Sequence, residues 1–117
     1  MKTIIAGSRT ITNYNLIKNT LDKLDIKIFE IVSGTANGVD RLGERYAKEN
    51  NIKLIKFPAD WDKFGKSAGY IRNKEMAKYS EQCIIFWDGI SKGTKHMIDL
   101  ARKYKLNLRI FIVKVEI

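Results

Sequence analysis

Apolar positions along this chain fall into two rhythms that alternate from one end to the other. Short consecutive runs such as Ile4-Ile5-Ala6 and Cys83-Ile84-Ile85-Phe86-Trp87 read as strands buried on both faces. Longer segments repeat apolar residues every three or four positions, the helical spacing. In chain order the pattern predicts a strand over Lys2–Ala6, then a helix over Tyr14–Leu24 with Leu16, Ile17, Leu21 and Leu24 on one face. A strand over Ile28–Val32 leads to a helix over Val39–Asn50 that turns Val39, Leu42, Tyr46 and Ala47 inward. Ile52–Phe57 reads as the third strand. Pro58–Lys66 fits neither period and reads as a loop. A helix over Ala68–Tyr79, a strand over Gln82–Trp87, a helix over Gly93–Tyr104 and a strand over Leu108–Val115 complete the series.

Five strands alternating with four helices predict one α/β domain over residues 1–117. It has three layers, a mainly parallel five-stranded sheet with helices on both faces. Right-handed crossovers make 3-2-1-4-5 the economical strand order, which opens a crevice at the carboxyl ends of strands one and four. No repeat, low-complexity tract or linker interrupts the alternation.

Composition narrows the setting. Hydrophobic residues at 44% and charged residues at 30% describe a globular chain. No apolar run reaches the ~18 residues of a membrane helix, and the first residues run directly into a strand instead of a secretory leader. A cytoplasmic protein without a membrane partner is therefore expected. The single cysteine, Cys83, lies in a strand run and reads as core. A net charge of +9 points to an anionic partner, although many lysines fall on helix faces that solvent would cover.

Chemistry concentrates in the loops that leave the strands' carboxyl ends. In Gly7-Ser8-Arg9 a glycine permits close backbone approach, Ser8 offers a hydroxyl and Arg9 can fork onto phosphate. Ser33-Gly34-Thr35-Ala36-Asn37-Gly38-Val39-Asp40 joins a strand to a helix start, where backbone N–H groups and the helix dipole attract anions. Asp40 either complements that helix start or accepts from ribose hydroxyls. In the long segment after the third strand, Trp61 can stack on a base or pin the loop, and Phe64 reads as an anchor. Arg72 and Asn73 follow early in the next helix. Asp88, Ser91, Gly93 and Thr94 lie in the loop after strand four, a second helix-start anion site facing the first. His96 has no second histidine or cysteine nearby, so no metal site is expected.

In order and spacing, Gly7-Ser8-Arg9, Ser33-Gly34-x-Ala36-x-Gly38-x-Asp40, Arg72-Asn73 and Ser91-x-Gly93-Thr94 resemble the SLOG superfamily of Rossmann-like domains. The resemblance runs from about Lys2 to Val113 and is strongest to a branch of small stand-alone bacterial and phage proteins. It implies binding of nucleotides, nucleotide-derived signals or nucleic acid, with no cofactor required beyond the bound ligand, and homodimers or higher homo-oligomers among relatives. Two other branches bracket the chain. LOG-type nucleoside monophosphate phosphoribohydrolases share a helix similar to Tyr70-Ile71-Arg72-Asn73-Lys74, but carry two glutamates where Lys95-His96-Met97 follow Gly93-Thr94 here. Cleaving an N-glycosidic bond develops cationic charge that such carboxylates stabilise. If the protein is an enzyme, Arg72 and Asp40 are the catalytic candidates. A DNA-processing branch that handles single strands shares the Ser33–Asp40 and Arg72-Asn73 motifs, and the net charge suits it. The expectation is a binding site for a nucleotide-type small molecule, with an N-glycosidic hydrolase and single-stranded nucleic-acid binding as alternatives.

Overall fold

The computed structural model describes residues 1–114. Five parallel strands, β1 (Lys2–Gly7), β2 (Glu30–Ser33), β3 (Lys53–Lys56), β4 (Gln82–Trp87) and β5 (Asn107–Ile112), form one sheet in the order β3-β2-β1-β4-β5. The helices are α1 (Tyr14–Lys23), α2 (Val39–Glu49), α3 (Trp61–Phe64), α4 (Ala68–Tyr79) and α5 (Lys92–Lys103). This is the three-layer doubly wound arrangement that the alternation predicts.

Side chains alternate across the central strands, so consecutive residues feed two separate cores. Ile5, Ile84 and Phe86 pack with Ile17, Leu21, Val39 and Ala47 beneath α1 and α2. Ile4, Cys83 and Ile85 pack with Met76, Ala77, Met97 and Ile98 beneath α4 and α5. Cys83 is a core residue, and burial raises its thiol pKa far beyond the ordinary value. On α1 the inward face is Tyr14, Ile17 and Leu21, while Leu16 and Leu24 are partly buried at its margin. Among the described residues no helix is long and apolar enough to cross a membrane.

Two departures from the predicted elements have physical causes. Pro58–Lys66 is not all loop: Asp60 accepts from the Lys63 N–H at 3.1 Å and starts the single turn of α3. Gly65, at φ +57°, ends it, and a 3-10 turn over Gly65–Ser67 runs into α4. A four-residue helix is too short for a 3.6 period to register. Strand β2 begins at Glu30 instead of Ile28, because the register with β1 starts at Lys2↔Glu30. The predicted last strand ends at Ile112, and Val115 lies outside the described residues.

The candidate ligand crevice

Two close backbone contacts build the crevice where β1 and β4 end. Gly7 lies so near the Phe86 carbonyl that a Cβ there would sit 2.0 Å from its oxygen. Beyond it the Ser8 N–H donates to that carbonyl at 3.0 Å, and the Asp88 N–H donates to Ser8 Oγ at 3.0 Å. Gly38, at φ +78°, lies against Ser8 and Arg9, where a Cβ would come within 2.5 Å of the Ser8 oxygen. Only glycine tolerates both that dihedral and that approach. The Val39 N–H at the start of α2 donates to the same Ser8 oxygen at 3.4 Å. Ser8 is thus fully buried as the tie between three loops, and Ser33 is likewise buried, donating to Glu44 Oε2 at 2.7 Å.

Two adjoining hollows open above this framework. The larger, about 450 Å³, is lined by Gly7, Arg9, Ala36, Asp40, Arg72 and Asn73 on one side. Asp88, Ser91, Gly93 and Thr94 line its other side, and the buried Met76 and Met97 lie at its floor. The smaller, about 230 Å³, is lined by Gly34, Thr35, Asn37, Pro58, Ala59 and Trp61. Arg9, Ala36 and Arg72 border both. Of the residues singled out from sequence, Ser8, Ser33 and Gly38 line neither hollow and instead hold its walls.

Asp40 and Arg72 meet over Gly34. The Ala36 N–H donates to Asp40 Oδ2 at 3.1 Å, so the carboxylate occupies part of the glycine loop's own anion nest. Burial pushes its pKa up to about 6, with Glu44 adding to the rise and the Ala36 N–H and Arg72 opposing it. Arg72 donates through Nη1 to the Gly34 carbonyl and through Nε to Asn73 Oδ1 at 3.0 Å. Asn73 in turn lies 3.3 Å from His96 Nδ1, and His96 packs edge-on to Tyr70 with ring centroids 4.5 Å apart. Burial lowers the His96 pKa, which favours the neutral ring.

Across the crevice, Asp88 organises the fourth loop. Its Oδ1 accepts from the Ile90 and Ser91 N–H groups, each at 2.8 Å, and its Oδ2 accepts from Thr10 Oγ1 at 3.0 Å. Donation by the Ser91 N–H, then by the Ile90 N–H, holds its carboxyl below the usual range. Ser91 caps α5 by accepting from the Thr94 N–H at 3.4 Å. The first N–H groups of a helix lack intrahelical partners, and with Ser91 and Thr94 satisfied, Lys92 and Gly93 remain as its outward donors.

A family model described as the YspA, cpYpsA-related SLOG family matches residues 1–64. The chain belongs to that family. The match takes in both the Gly7-Ser8-Arg9 turn and the Ser33–Asp40 loop. Gene 61 protein of Mycobacterium phage D29 is 32% identical over 111 residues, which span 87% of this chain and 89% of that protein. No solved structure matches. Within this SLOG domain, sequence reasoning did not single out Met76 and Met97, core residues beneath α4 and α5 that also reach the larger hollow. It also missed Thr10, whose bond to Asp88 clips the first loop to the fourth. Among the described residues no three metal-ligating side chains cluster closely enough to hold an ion.

Asp40 should also be visible in the stability of this SLOG domain. The folded chain holds the Asp40 proton up to about pH 6, whereas the unfolded chain releases it near 3.8. The group's contribution to stability is therefore fully present below pH 3.8 and lost as pH rises through 6. Asp40→Asn keeps an acceptor for the Ala36 N–H and removes the buried charge. It should stabilise the protein by about 1–3 kcal/mol at pH 7.5 and by much less at pH 4. Urea unfolding of both proteins at the two pH values checks this; an equal difference at both removes charge as the cause.

Proposed function

We propose that the crevice binds a nucleotide or nucleotide-derived ligand. Its phosphate lies against Arg9, Arg72 and the start of α5, and its less polar part covers Met76 and Met97. The observation that carries this reading is the pair of guanidinium groups at the border of both hollows, faced by two carboxylates already engaged by the protein, Asp40 by the Ala36 N–H and Asp88 by the Thr10 hydroxyl and the Ile90 and Ser91 N–H groups. Guanidinium groups grip phosphate through parallel N–H donors, and a helix start adds oriented amides. The larger hollow has the volume of an ordinary small-molecule site, about 300–1,000 Å³.

Thermal-shift measurements against mono-, di- and cyclic nucleotides test the reading. A ligand present at 100 times its Kd adds about 2.7 kcal/mol to the folded state, a rise of several degrees in Tm. No stabilisation by any of them at millimolar concentration would end it.

One observation favours a second reading, a nucleotide N-glycosidic hydrolase. Asp40 is a buried carboxyl with a raised pKa, facing a cavity beside Arg72, which is the kind of perturbed group that acid–base chemistry uses. Against it, the positions after Gly93-Thr94 supply no carboxylate. Lys95 pairs with Asp99 at 2.7 Å on the surface, and His96 packs against Tyr70. Release of free base from nucleoside monophosphates, abolished in Asp40→Asn, would support hydrolysis; base release at the buffer rate excludes it. Nucleic-acid binding gains less, because Lys18, Arg45 and Lys95 are each paired with an acid one helical turn away.

A further inference from the structure

The two hollows are arms of one site with a cationic neck. Arg9, Ala36 and Arg72 line both, so a ligand that spans the two arms runs beside the two guanidinium groups. The arms differ in chemistry. Met76 and Met97 floor the larger, whereas Trp61, half exposed, walls the smaller beside Pro58 and Ala59.

Arg72 is fixed in a particular pose at this neck. Its Nη1 is held by the Gly34 carbonyl and its Nε by Asn73 Oδ1, which leaves Nη2 as the free edge of the fork. That edge and the indole of Trp61 converge on one point above Gly69. A Cβ there would lie 3.7 Å from Nη2 and 3.5 Å from Trp61 Cη2. The unengaged Nη2 of Arg72 therefore lies on the side of the guanidinium nearer Trp61. Arg9 makes no ion pair among the described residues, so two cations border both arms, whereas the carboxylates of Asp40 and Asp88 line only the larger.

A single nucleotide seated in the larger arm with its phosphate at the neck would leave the Trp61 arm to water. A ligand that continues past its phosphates uses everything the site offers. We propose that the site takes a two-armed diphosphate diester. Arg9 and Arg72 grip the diphosphate at the neck, a nucleoside lies in the larger arm, and a second organic group lies against Trp61. The proposal rests on the nucleotide reading of the crevice and names the class of ligand within it.

Isothermal titration of the purified protein with three matched series tests it: AMP, ADP and ADP-ribose; UMP, UDP and UDP-glucose; GMP, GDP and GDP-mannose. The diphosphates control for added charge. In at least one series the two-armed member should bind at least tenfold more tightly than both shorter members. Ala59→Phe, which fills the second arm, should reduce that member to the affinity of the diphosphate and leave the monophosphate unchanged. If every series that binds shows no gain from diphosphate to two-armed ligand, the inference is wrong while the nucleotide reading stands. If the gain survives intact in folded Ala59→Phe protein, the second arm is not where the extra group sits. Should Ala59→Phe fail to fold, the wild-type series decides alone. If no member of any series binds at millimolar concentration, the nucleotide reading itself falls.

Discussion

Gly7→Ala should destabilise the protein by about 3–5 kcal/mol, a large share of the 5–15 kcal/mol that holds a typical domain together. The added methyl would sit 2.0 Å from the Phe86 oxygen, 2.9 Å from its carbonyl carbon and 2.8 Å from Val39 Cγ2. Two of these atoms are backbone in the central strand β4, so no rotamer change relieves the clash. The ends of β1 and β4 have to separate, which also strains the Ser8 N–H bond to Phe86 and the Asp88 N–H bond to Ser8. Gly69→Ala is the matched control. Its methyl meets nothing closer than 3.5 Å, and alanine suits a helix better than glycine. Urea denaturation should therefore find Gly69→Ala neutral or slightly stabilised. A Gly7→Ala protein within 1 kcal/mol of wild type, on the scale of an ordinary surface change, would mean that β1 and β4 do not close as described.

Arg72→Ala should weaken binding of an anionic nucleotide by about 10- to 100-fold, the loss of one or two charge-assisted hydrogen bonds. Arg72→Lys should recover only part of this. An ammonium group cannot hold the Gly34 carbonyl and Asn73 Oδ1 while also presenting a free edge to the ligand. Removing Arg72 also takes away a cation that opposes the rise in the Asp40 pKa, so that pKa should climb further above about 6. The double variant Arg72→Ala with Asp40→Asn separates the two effects: stability returns and affinity does not. Titration calorimetry and urea unfolding on the same preparations read both, and a single variant that binds within twofold of wild type removes Arg72 from the ligand's contacts.

The fold was legible because the central strands leave no ambiguity. Ile4-Ile5 and Ile84-Ile85 are continuous apolar pairs, which only a sheet covered on both faces can accommodate. The edge strand β3, with Lys53 and Lys56 exposed about Leu54 and Ile55, was found as part of the alternation although it is only four residues long. The candidate site was legible where backbone geometry demands a residue type, as at Gly7 and Gly38. It was less so where a polar residue is buried for the sake of the framework. Ser8 and Ser33 look like ligand hydroxyls in sequence, yet both are fully buried and bind neighbouring loops. Glu44 is harder still. The sequence pattern does not single it out, yet it lies buried on the inward face of α2, where Ser33, Arg41 and Lys56 approach it. Sequence periodicity assigns acids outward, and nothing local marks an acid whose partners come from two strands.

The contact that joins Ser8 to Asp88 has a consequence in time. Its two residues are 80 positions apart, and the paired residues of the seam between β1 and β4 are each 79 apart. At a synthesis rate of about 5–20 residues per second, β1 waits on the order of 4–16 s on the ribosome before β4 exists to cover its far edge. Through that interval Ile4 and Ile5 have at most the β2 side satisfied, and the crevice loops have nothing to close against. The first strand made is thus paired on both sides only after β4 emerges, so an apolar edge at the centre of the sheet stays open to aggregation through most of synthesis.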